Sequence, residues 1–314
     1  MVSFPGMTFL VSLKPAFFNT WGGGPTKAQC QSRRGTLVNK LLQLYKSQAV
    51  SLCLHNPIAR DSIKGYYHDL GKQYEESHKR LESASQMVEF RFVNYLKDEL
   101  YARSEELAQI ATKPTKSDLA WLAKHYTPET HSFLEKYHSE RIQTTFEISN
   151  YLHNDSLVQT IGARQIVKNA IKYTQDVLLL NDYPVPQILL DPGSDDAKIR
   201  CVAPQIQHVL FELLKNSTIP ALRTDTPIRL NILSDPETTT IKITDSGGGM
   251  PPDIAHKIWQ FHFTTATEQN KDEVNGFGMG IPLCSLLTRF NKGSLEIENR
   301  LGTGLVVLLK LPTR

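Results

Sequence analysis

Several features are scarce in this 314-residue sequence, and each scarcity excludes a class of protein. No apolar run reaches the roughly 18 residues of a membrane-spanning helix, so we expect no membrane span. The net charge is only +3, which is too small to predict a nucleic-acid partner. Cysteines are few and lie far apart, without the CxxC spacing of zinc sites; they are Cys30, Cys53, Cys201 and Cys284. We therefore expect reduced, mostly buried thiols rather than a disulfide framework.

Acidic residues are absent from Met1 to Arg60, whereas lysine and arginine recur there. An acid-free beginning that contains serine and arginine is typical of a mitochondrial targeting peptide. The alternative is a disordered tail, and the stretch WGGGP at Trp21–Pro25 breaks regular structure. We assign residues 1–35 to a targeting or disordered segment, prefer the targeting interpretation, and expect folded structure to begin near Thr36.

Residues 36–158 predict helices almost throughout. Glycine is nearly absent from this stretch, and its prolines stand where helices can start. Val88, Phe92, Tyr95 and Leu96 have the spacing of one face of an amphipathic helix. Successive amphipathic helices joined by short connections predict an antiparallel bundle.

Residues 159–314 differ in character, because strand-like segments appear between helices. Alternation of apolar and polar residues predicts half-buried strands. The strand-like segments are Gln187–Leu190, Ile228–Ile232, Thr240–Thr244 and Leu305–Leu311. Interleaved strands and helices predict one mixed sheet with helices on one face. The predicted fold class is therefore α + α/β, an antiparallel helical bundle followed by an α/β sandwich.

The helix that follows Pro204 has chemically capable side chains on one face, because positions four, seven and eight residues apart lie together on a helix. These side chains are His208, Glu212, Lys215 and Asn216. For one helix alone, a solvated surface is the better explanation of such a set. A binding site is favoured because three glycine-containing blocks follow in order. They are Asp245–Gly249, Gly276–Gly280 and Gly302–Gly304. Glycines let main-chain N–H groups approach a phosphate, and a helix N-terminus adds a favourable dipole.

Together the four blocks resemble the N, G1, G2 and G3 boxes of the Bergerat-fold ATPases. That group includes histidine kinases, heat-shock chaperones, mismatch-repair ATPases and type II topoisomerases. Within it, the segments HVLFELLKN, HFTTA, GFGMGIP and GTG resemble the mitochondrial protein kinases. These are the pyruvate dehydrogenase kinases and the branched-chain α-ketoacid dehydrogenase kinase. The resemblance implies that the α/β sandwich is of the Bergerat type.

The chemistry of the blocks fits this resemblance. Asn216 offers a neutral oxygen that can complete the shell of a Mg²⁺ ion already bound to phosphates. Asp245 can accept a hydrogen bond from an adenine amino group, and Thr303 resembles the threonine that supports this contact. The predicted nucleotide-binding residues are Lys215, Asn216, Asp245, Gly247, Gly249, Thr264, Thr265, Gly276, Phe277, Gly278, Met279, Gly280 and Thr303, with Asn216 as the metal ligand. Thr264 and Thr265 are equally consistent with solvated residues.

Two further residues are predicted to be catalytic. Glu212, one helical turn before Asn216, resembles the general base of the family. His208 lies one turn earlier, where it can hydrogen-bond Glu212 and tune its basicity. Lys215 is consistent either with neutralising phosphate charge or with a surface or ion-pairing lysine.

The resemblance implies a kinase that uses ATP with Mg²⁺, and with K⁺ as a further cation. Its substrate would be a serine of the decarboxylase subunit of a mitochondrial 2-oxoacid dehydrogenase complex, which phosphorylation inactivates. A homodimer in the mitochondrial matrix would dock on the lipoyl domain of the acyltransferase core through residues 36–158, and residues 159–314 would be the kinase domain. The segment HFTTA and the position of the last strand favour the branched-chain complex, and the pyruvate complex stays open.

Two alternatives remain. A self-phosphorylating sensor-type histidine kinase would need an acceptor such as His68, which we interpret as a surface residue. A nucleotide-binding pseudokinase, acting as an interaction module, is suggested by Ile219 and Pro220, because the family has an arginine at position 219 and a continuing helix. Pro220 is expected to end or kink the helix that carries Asn216.

Overall fold

The computed structural model describes residues 27–193, 197–265 and 278–313. The chain divides into two compact units, the first ending at Leu157 and the second beginning at Val158. Within the described residues, no helix combines the length and the apolar character needed to span a membrane.

The first unit is helical over its described residues. Its helices are α1 (Lys27–Leu54), α2 (Asp61–Ala84), α3 (Glu89–Thr112), α4 (Lys116–Lys124) and α5 (Pro128–Leu152). Helix α1 begins at Lys27, so folded structure starts before Thr36, where we expected it, and residues 27–35 are not a disordered tail; the targeting interpretation of residues 1–35 stays a prediction. Arg33 and Arg34 explain the difference, because both are tied to distant parts of the same unit. Arg33 Nε lies 2.7 Å from a carboxylate oxygen of Asp155, and Arg34 donates to the carbonyl of Ala84 at 2.7 Å.

Charged and phenolic groups are paired inside this unit. The Glu106 carboxylate accepts hydrogen bonds from Arg103 at 2.7 Å, from Tyr74 at 2.9 Å and from the Tyr137 hydroxyl. The guanidinium of Arg103 also lies over the Tyr74 ring, 4.3 Å from its centre. All four residues are buried. Because a buried charge is tolerated only when it is paired and hydrogen-bonded, these contacts are a condition of the packing.

A second polar centre, Asp118, joins helix α4 to the start of α2. Its carboxylate accepts from the Ser62 hydroxyl at 2.5 Å and from Arg60 Nε at 3.1 Å. It also forms a capping box with Thr115 at the start of α4. The Ser62 hydroxyl, followed by the Thr115 hydroxyl, holds the pKa of Asp118 well below its ordinary value.

The second unit alternates strands with helices. Its elements are β1 (Val158–Gly162), α6 (Ala163–Leu180), β2 (Ile188–Leu190), β3 (Lys198–Val202), α7 (Ala203–Thr224), β4 (Ile228–Ser234), β5 (Thr238–Thr244), α8 (Pro252–Ala255), a 3₁₀ turn (Lys257–Trp259), α9 (Gly280–Phe290), β6 (Ser294–Arg300) and β7 (Gly304–Pro312). Five of the strands form a mixed sheet in the order β2-β4-β5-β7-β6, in which only β2 and β4 are parallel among the described pairs. Strands β1 and β3 form a separate antiparallel pair. The predicted fold class, a helical region followed by a mixed sheet with helices, is confirmed.

The sheet places the glycine-containing blocks at strand ends. Alternate residues of β5, including Ile241 and Ile243, are buried, so the strand has one buried face. Its partner β7 pairs with it from Thr238 to Thr244. The block that begins at Asp245 therefore leaves the sheet next to the block at Gly302–Gly304, which leads into β7. Helices α6 and α9 both pack against α7, and α9 also contacts β6.

Candidate active site

The polar face of α7 is mostly buried, although its side chains can ionise. His208, Glu212 and Lys215 are each less than one-tenth exposed, whereas Asn216 is exposed. Lys215 Nζ lies 2.8 Å from Glu212 Oε2 and 2.9 Å from Oε1. On a solvated helix face this ion pair would be exposed, whereas here it is buried. The polar face of α7 is therefore not a solvated surface.

Opposing effects act on the Glu212 carboxylate. Burial raises its pKa, while electrostatic interaction with Lys215 and then with His208 lowers it, and the net pKa is below the ordinary value. The group is therefore ionised at neutral pH, which a proton acceptor requires. The predicted hydrogen bond between His208 and Glu212 stays a prediction, and the lysine pair is the contact that the structure describes.

Gly280, the first residue of α9, lies directly against this face. A Cβ atom at residue 280 would stand 2.7 Å from Glu212 Oε2 and 4.0 Å from Asn216 Nδ2. A side chain at residue 280 would therefore displace the Glu212 carboxylate, while Asn216 lies at ordinary contact distance. The N-cap residue Met279 makes no side-chain capping hydrogen bond, and Pro282 has no N–H group. The N–H groups of Gly280 and Ile281 are therefore the ones that suit an anion at this helix start.

The residues before α9 approach the segment that follows the 3₁₀ turn. A Cβ atom at Gly278 would meet the main chain of His262 and Phe263 at 2.5 Å. Met279 is buried. Of the predicted residues in this region, Thr264 is half-buried and Thr265 is exposed. Gly276 and Phe277 lie outside the described residues.

Asp245 follows β5 and is buried, with its carboxylate held on both sides. Oδ1 accepts the N–H of Gly247 at 3.0 Å and that of Leu305 at 3.4 Å. Oδ2 lies 3.4 Å from the hydroxyl of Ser217 on α7. The carboxylate therefore has a fixed orientation, and Oδ2 is the oxygen with fewer of these contacts.

The turn at Gly302–Gly304 binds the loop after Asp245 through the main chain. The N–H of Gly302 donates to the carbonyl of Gly248 at 2.8 Å, and the N–H of Gly248 donates to the carbonyl of Thr303 at 3.3 Å. Thr303 itself is exposed. These two blocks are thus in direct contact.

Pro220 does not end α7, which continues to Thr224; of the two expected effects, an end of the helix is therefore wrong, and a kink stays a prediction. A proline removes one helical hydrogen bond, but the ring packs against Gly247, where a Cβ atom would stand 2.9 Å from Pro220 Cα. The buried Ala221 follows it in the same helix. Packing of Pro220 on Gly247 compensates for the lost helical hydrogen bond and also joins α7 to the block that begins at Asp245.

Two residues of this region were missed by sequence reasoning. Ser217 contacts Asp245, as described above, and Asn299 in β6 binds the main chain of Met250 at 2.8 Å and 2.7 Å. Neither belongs to a motif. Both contacts depend on how separate elements meet, which no spacing along the chain reveals.

The four blocks therefore lie next to one another. One end of the arrangement offers a fixed carboxylate at Asp245, and the other offers an uncapped helix start at Gly280 beside Glu212 and Asn216. A ligand with a hydrogen-bond donor at one end and an anionic group at the other fits this distribution of charge. The roles assigned to individual residues remain predictions.

Comparisons with known proteins show which families and relatives this chain resembles. Residues 201–314 match the family model described as histidine kinase-, DNA gyrase B-, and HSP90-like ATPase. The chain is 26% identical over 210 residues to [pyruvate dehydrogenase (acetyl-transferring)] kinase 1, mitochondrial, of Saccharomyces cerevisiae, covering 57% of this chain and 53% of the relative. It is 28% identical over 212 residues to the corresponding kinase of Schizosaccharomyces pombe, covering 57% and 49%. With the kinase of Arabidopsis thaliana, identity is 25% over 211 residues, covering 58% and 57%. The chain spans about half the length of the curated relatives that it matches.

Proposed function

We propose a function from the premise that residues 201–314 form an ATPase domain of the histidine kinase-, DNA gyrase B-, and HSP90-like family. The match confirms the resemblance seen in the four sequence blocks. The chain is proposed to be an ATP-dependent protein serine kinase that inactivates a mitochondrial 2-oxoacid dehydrogenase complex. The contacts of Gly280 carry this proposal, because they bring a buried carboxylate and an exposed amide to an uncapped helix start.

The donor set fits an adenine nucleotide with Mg²⁺. Asp245 supplies an acceptor for the adenine amino group, and the first N–H groups of α9 suit phosphate oxygens. Asn216 supplies a neutral oxygen ligand, which suits a cation that keeps phosphates and waters in its shell. The bound metal would neutralise phosphate charge during transfer. The K⁺ ion implied by the resemblance stays a prediction.

Glu212 is proposed as the group that accepts the proton of the attacking serine hydroxyl. The hydroxyl oxygen forms a bond to the γ-phosphorus while the bond to the β–γ bridging oxygen breaks, which leaves ADP and a phosphoserine. The proton passes to the ionised carboxylate of Glu212. Lys215 balances the carboxylate before this step, and its positive charge is also near enough to the site to attract phosphate. His208 tunes the carboxylate through its charge.

The substrate assignment is supported by the relatives, whose names specify pyruvate dehydrogenase (acetyl-transferring). We propose the decarboxylase subunit of such a complex as the substrate. The names support the pyruvate complex, whereas the segment HFTTA supports the branched-chain complex. Location in the mitochondrial matrix, docking on the lipoyl domain and a homodimer follow from the same proposal.

A specific observation favours a second candidate, a nucleotide-binding pseudokinase that acts as an interaction module. Both oxygens of Glu212 are bonded to Lys215, so the carboxylate must leave this pair, or share it, before it can accept a proton. A protein that binds nucleotide without transferring phosphate would have no need to release it.

The deciding experiment offers γ-labelled ATP to pyruvate and branched-chain dehydrogenase complexes side by side. Glu212→Gln should keep ATP binding and lose transfer by about 10²–10⁴-fold, the usual contribution of a general base. Glu237→Gln makes the same charge change at an exposed turn of the same unit and should transfer at the unaltered rate. Label on neither complex with retained ATP binding would establish the pseudokinase. Label on a histidine of the chain itself would establish the sensor-type kinase.

A further inference from the structure

The exit of the loop after Asp245 is anchored by a side chain rather than by the main chain of a neighbouring strand. The Asn299 amide in β6 accepts the N–H of Met250 through Oδ1 at 2.8 Å and donates to the Met250 carbonyl through Nδ2 at 2.7 Å. One amide group thus satisfies both main-chain polar groups of one residue. The contact resembles the pairing of a peptide group in an antiparallel sheet, because a side-chain amide has the same donor and acceptor.

The residues after Met250 explain why this anchor matters. Pro251 and Pro252 follow, and neither has an N–H group to donate. Earlier parts of the loop are fixed through Gly247, which donates to Asp245, and through Gly248, which exchanges hydrogen bonds with the turn at residues 302–304. Met250 is therefore the last position before the two prolines at which the loop can be held by its own N–H.

The approach of the loop to β6 is close. A Cβ atom at Gly249 would stand 2.8 Å from Asn299 Oδ1 and 2.9 Å from the Arg300 carbonyl. Gly249 also has a φ of +74°, which glycine adopts without strain. The glycine and the asparagine therefore fit each other, and together they set the distance between the loop and the end of the edge strand.

We propose that Asn299 is a positioning residue of the nucleotide site, which fixes the Asp245–Met250 loop and thereby sets the affinity for the base of the nucleotide. The inference rests on the proposed function, because it takes the ligand to be an adenine nucleotide. Asn299 acts through the loop main chain and has no role in phosphate binding, which belongs to the start of α9 at the other end of the site.

Because the Asn299 amide both donates and accepts, two substitutions of Asn299 should respond differently to pH. Asn299→Leu has similar size and loses both hydrogen bonds. Asn299→Asp keeps the acceptor for the Met250 N–H, but when ionised it sets an oxygen against the Met250 carbonyl. Protonation of the aspartate restores a donor. The loss of Mg-ADP affinity in Asn299→Asp should therefore shrink as the pH falls, whereas the loss in Asn299→Leu should not.

The test measures dissociation constants of Mg-ADP and of Mg-tripolyphosphate by calorimetry, from about pH 4 to pH 8, at temperatures where each variant is folded by its melting curve. We expect Asn299→Leu to weaken Mg-ADP about tenfold, which two neutral hydrogen bonds readily supply. Relative to the wild type, Asn299→Asp should bind Mg-ADP as weakly as Asn299→Leu at pH 8 and recover towards pH 4, close to the ordinary aspartate pKa of about 3.9. Mg-tripolyphosphate, which has no base, should bind all variants alike.

Asn231→Leu is the matched control, because Asn231 is a half-buried strand asparagine whose amide bonds the Asp191 carboxylate at 2.7 Å, outside the four blocks. It should bind Mg-ADP like the wild type. The inference is overturned if Asn299→Leu binds Mg-ADP normally, if it loses Mg-ADP and Mg-tripolyphosphate equally, or if Asn299→Asp shows no recovery. A wild-type chain that binds no nucleotide would instead refute the proposed function, and with it this inference.

Discussion

Replacing Gly280 by alanine tests whether the Glu212 carboxylate must lie where the structure places it. The added Cβ would stand 2.7 Å from Glu212 Oε2, well inside the about 3.5 Å at which non-bonded atoms pack best. The carboxylate must therefore move by several tenths of an ångström. Its pair with Lys215, at 2.8 Å and 2.9 Å, must lengthen or rotate. A displacement of this order at a reacting group lowers the rate by about 10- to 100-fold.

The same substitution should leave the fold intact, which separates a defect of the site from a defect of stability. Alanine is favoured over glycine within a helix by about 0.5–1 kcal/mol, so the melting temperature should not fall by much. Gly65 in α2 is the control, because a Cβ there meets no atom within 4 Å. We expect Gly65→Ala to transfer phosphate normally and Gly280→Ala to be slow at saturating ATP. Full transfer by Gly280→Ala would show that the position of the Glu212 carboxylate does not matter for catalysis.

Three other predictions concern the metal ligand and the first unit. Asn216→Ala should abolish Mg-ATP binding in calorimetry, and retained tight binding would mean that another residue holds the metal. Glu106→Ala leaves Arg103 buried without that carboxylate and should lower the free energy of unfolding by about 3–5 kcal/mol in guanidinium titrations; a loss below 1 kcal/mol would contradict the pairing. The lowered pKa of Asp118 means that its contribution to stability is present above the ordinary value of about 3.9 and is lost as pH falls through the folded-state value. The stability difference between wild type and Asp118→Asn in urea should therefore shrink with acidification, and a constant difference would rule out this linkage.

The elements that sequence patterns predicted are those whose pattern comes from burial on one face. Strands β4, β5 and β7 were found in this way, because each has a buried face in the sheet. Strand β6 was missed, although Leu295 and Ile297 alternate with glutamates, because only two apolar residues indicate it. The start of α1 was placed too late for a different reason. The acid-free stretch suggested an unpaired basic segment, but the acidic partner of Arg33, Asp155, lies far along the chain.

Some residues of the candidate site could be identified from sequence motifs, and others only from the way separate elements pack. The glycine-containing blocks were predictable because the main-chain chemistry of phosphate binding restricts residue type. An ion pair was among the alternatives for Lys215, but the sequence did not identify Glu212 as its partner. The contact between Asn299 and Met250 was not predictable, because it joins residues 49 positions apart in elements with no shared pattern.

Pro220 shows that a departure from a family pattern can be understood only together with its neighbours. By itself, a proline within a helix is unfavourable by about 3 kcal/mol, and the sequence suggested a broken helix. The ring instead packs against Gly247, whose lack of a side chain leaves room for it. Gly247 in turn donates its N–H to Asp245. The residue that differs from the family is thus in contact with the loop that orients the predicted base-binding carboxylate. Pro220 therefore lies at the end of the site that we propose for the base, whereas Glu212 and Asn216 lie at the end formed with α9.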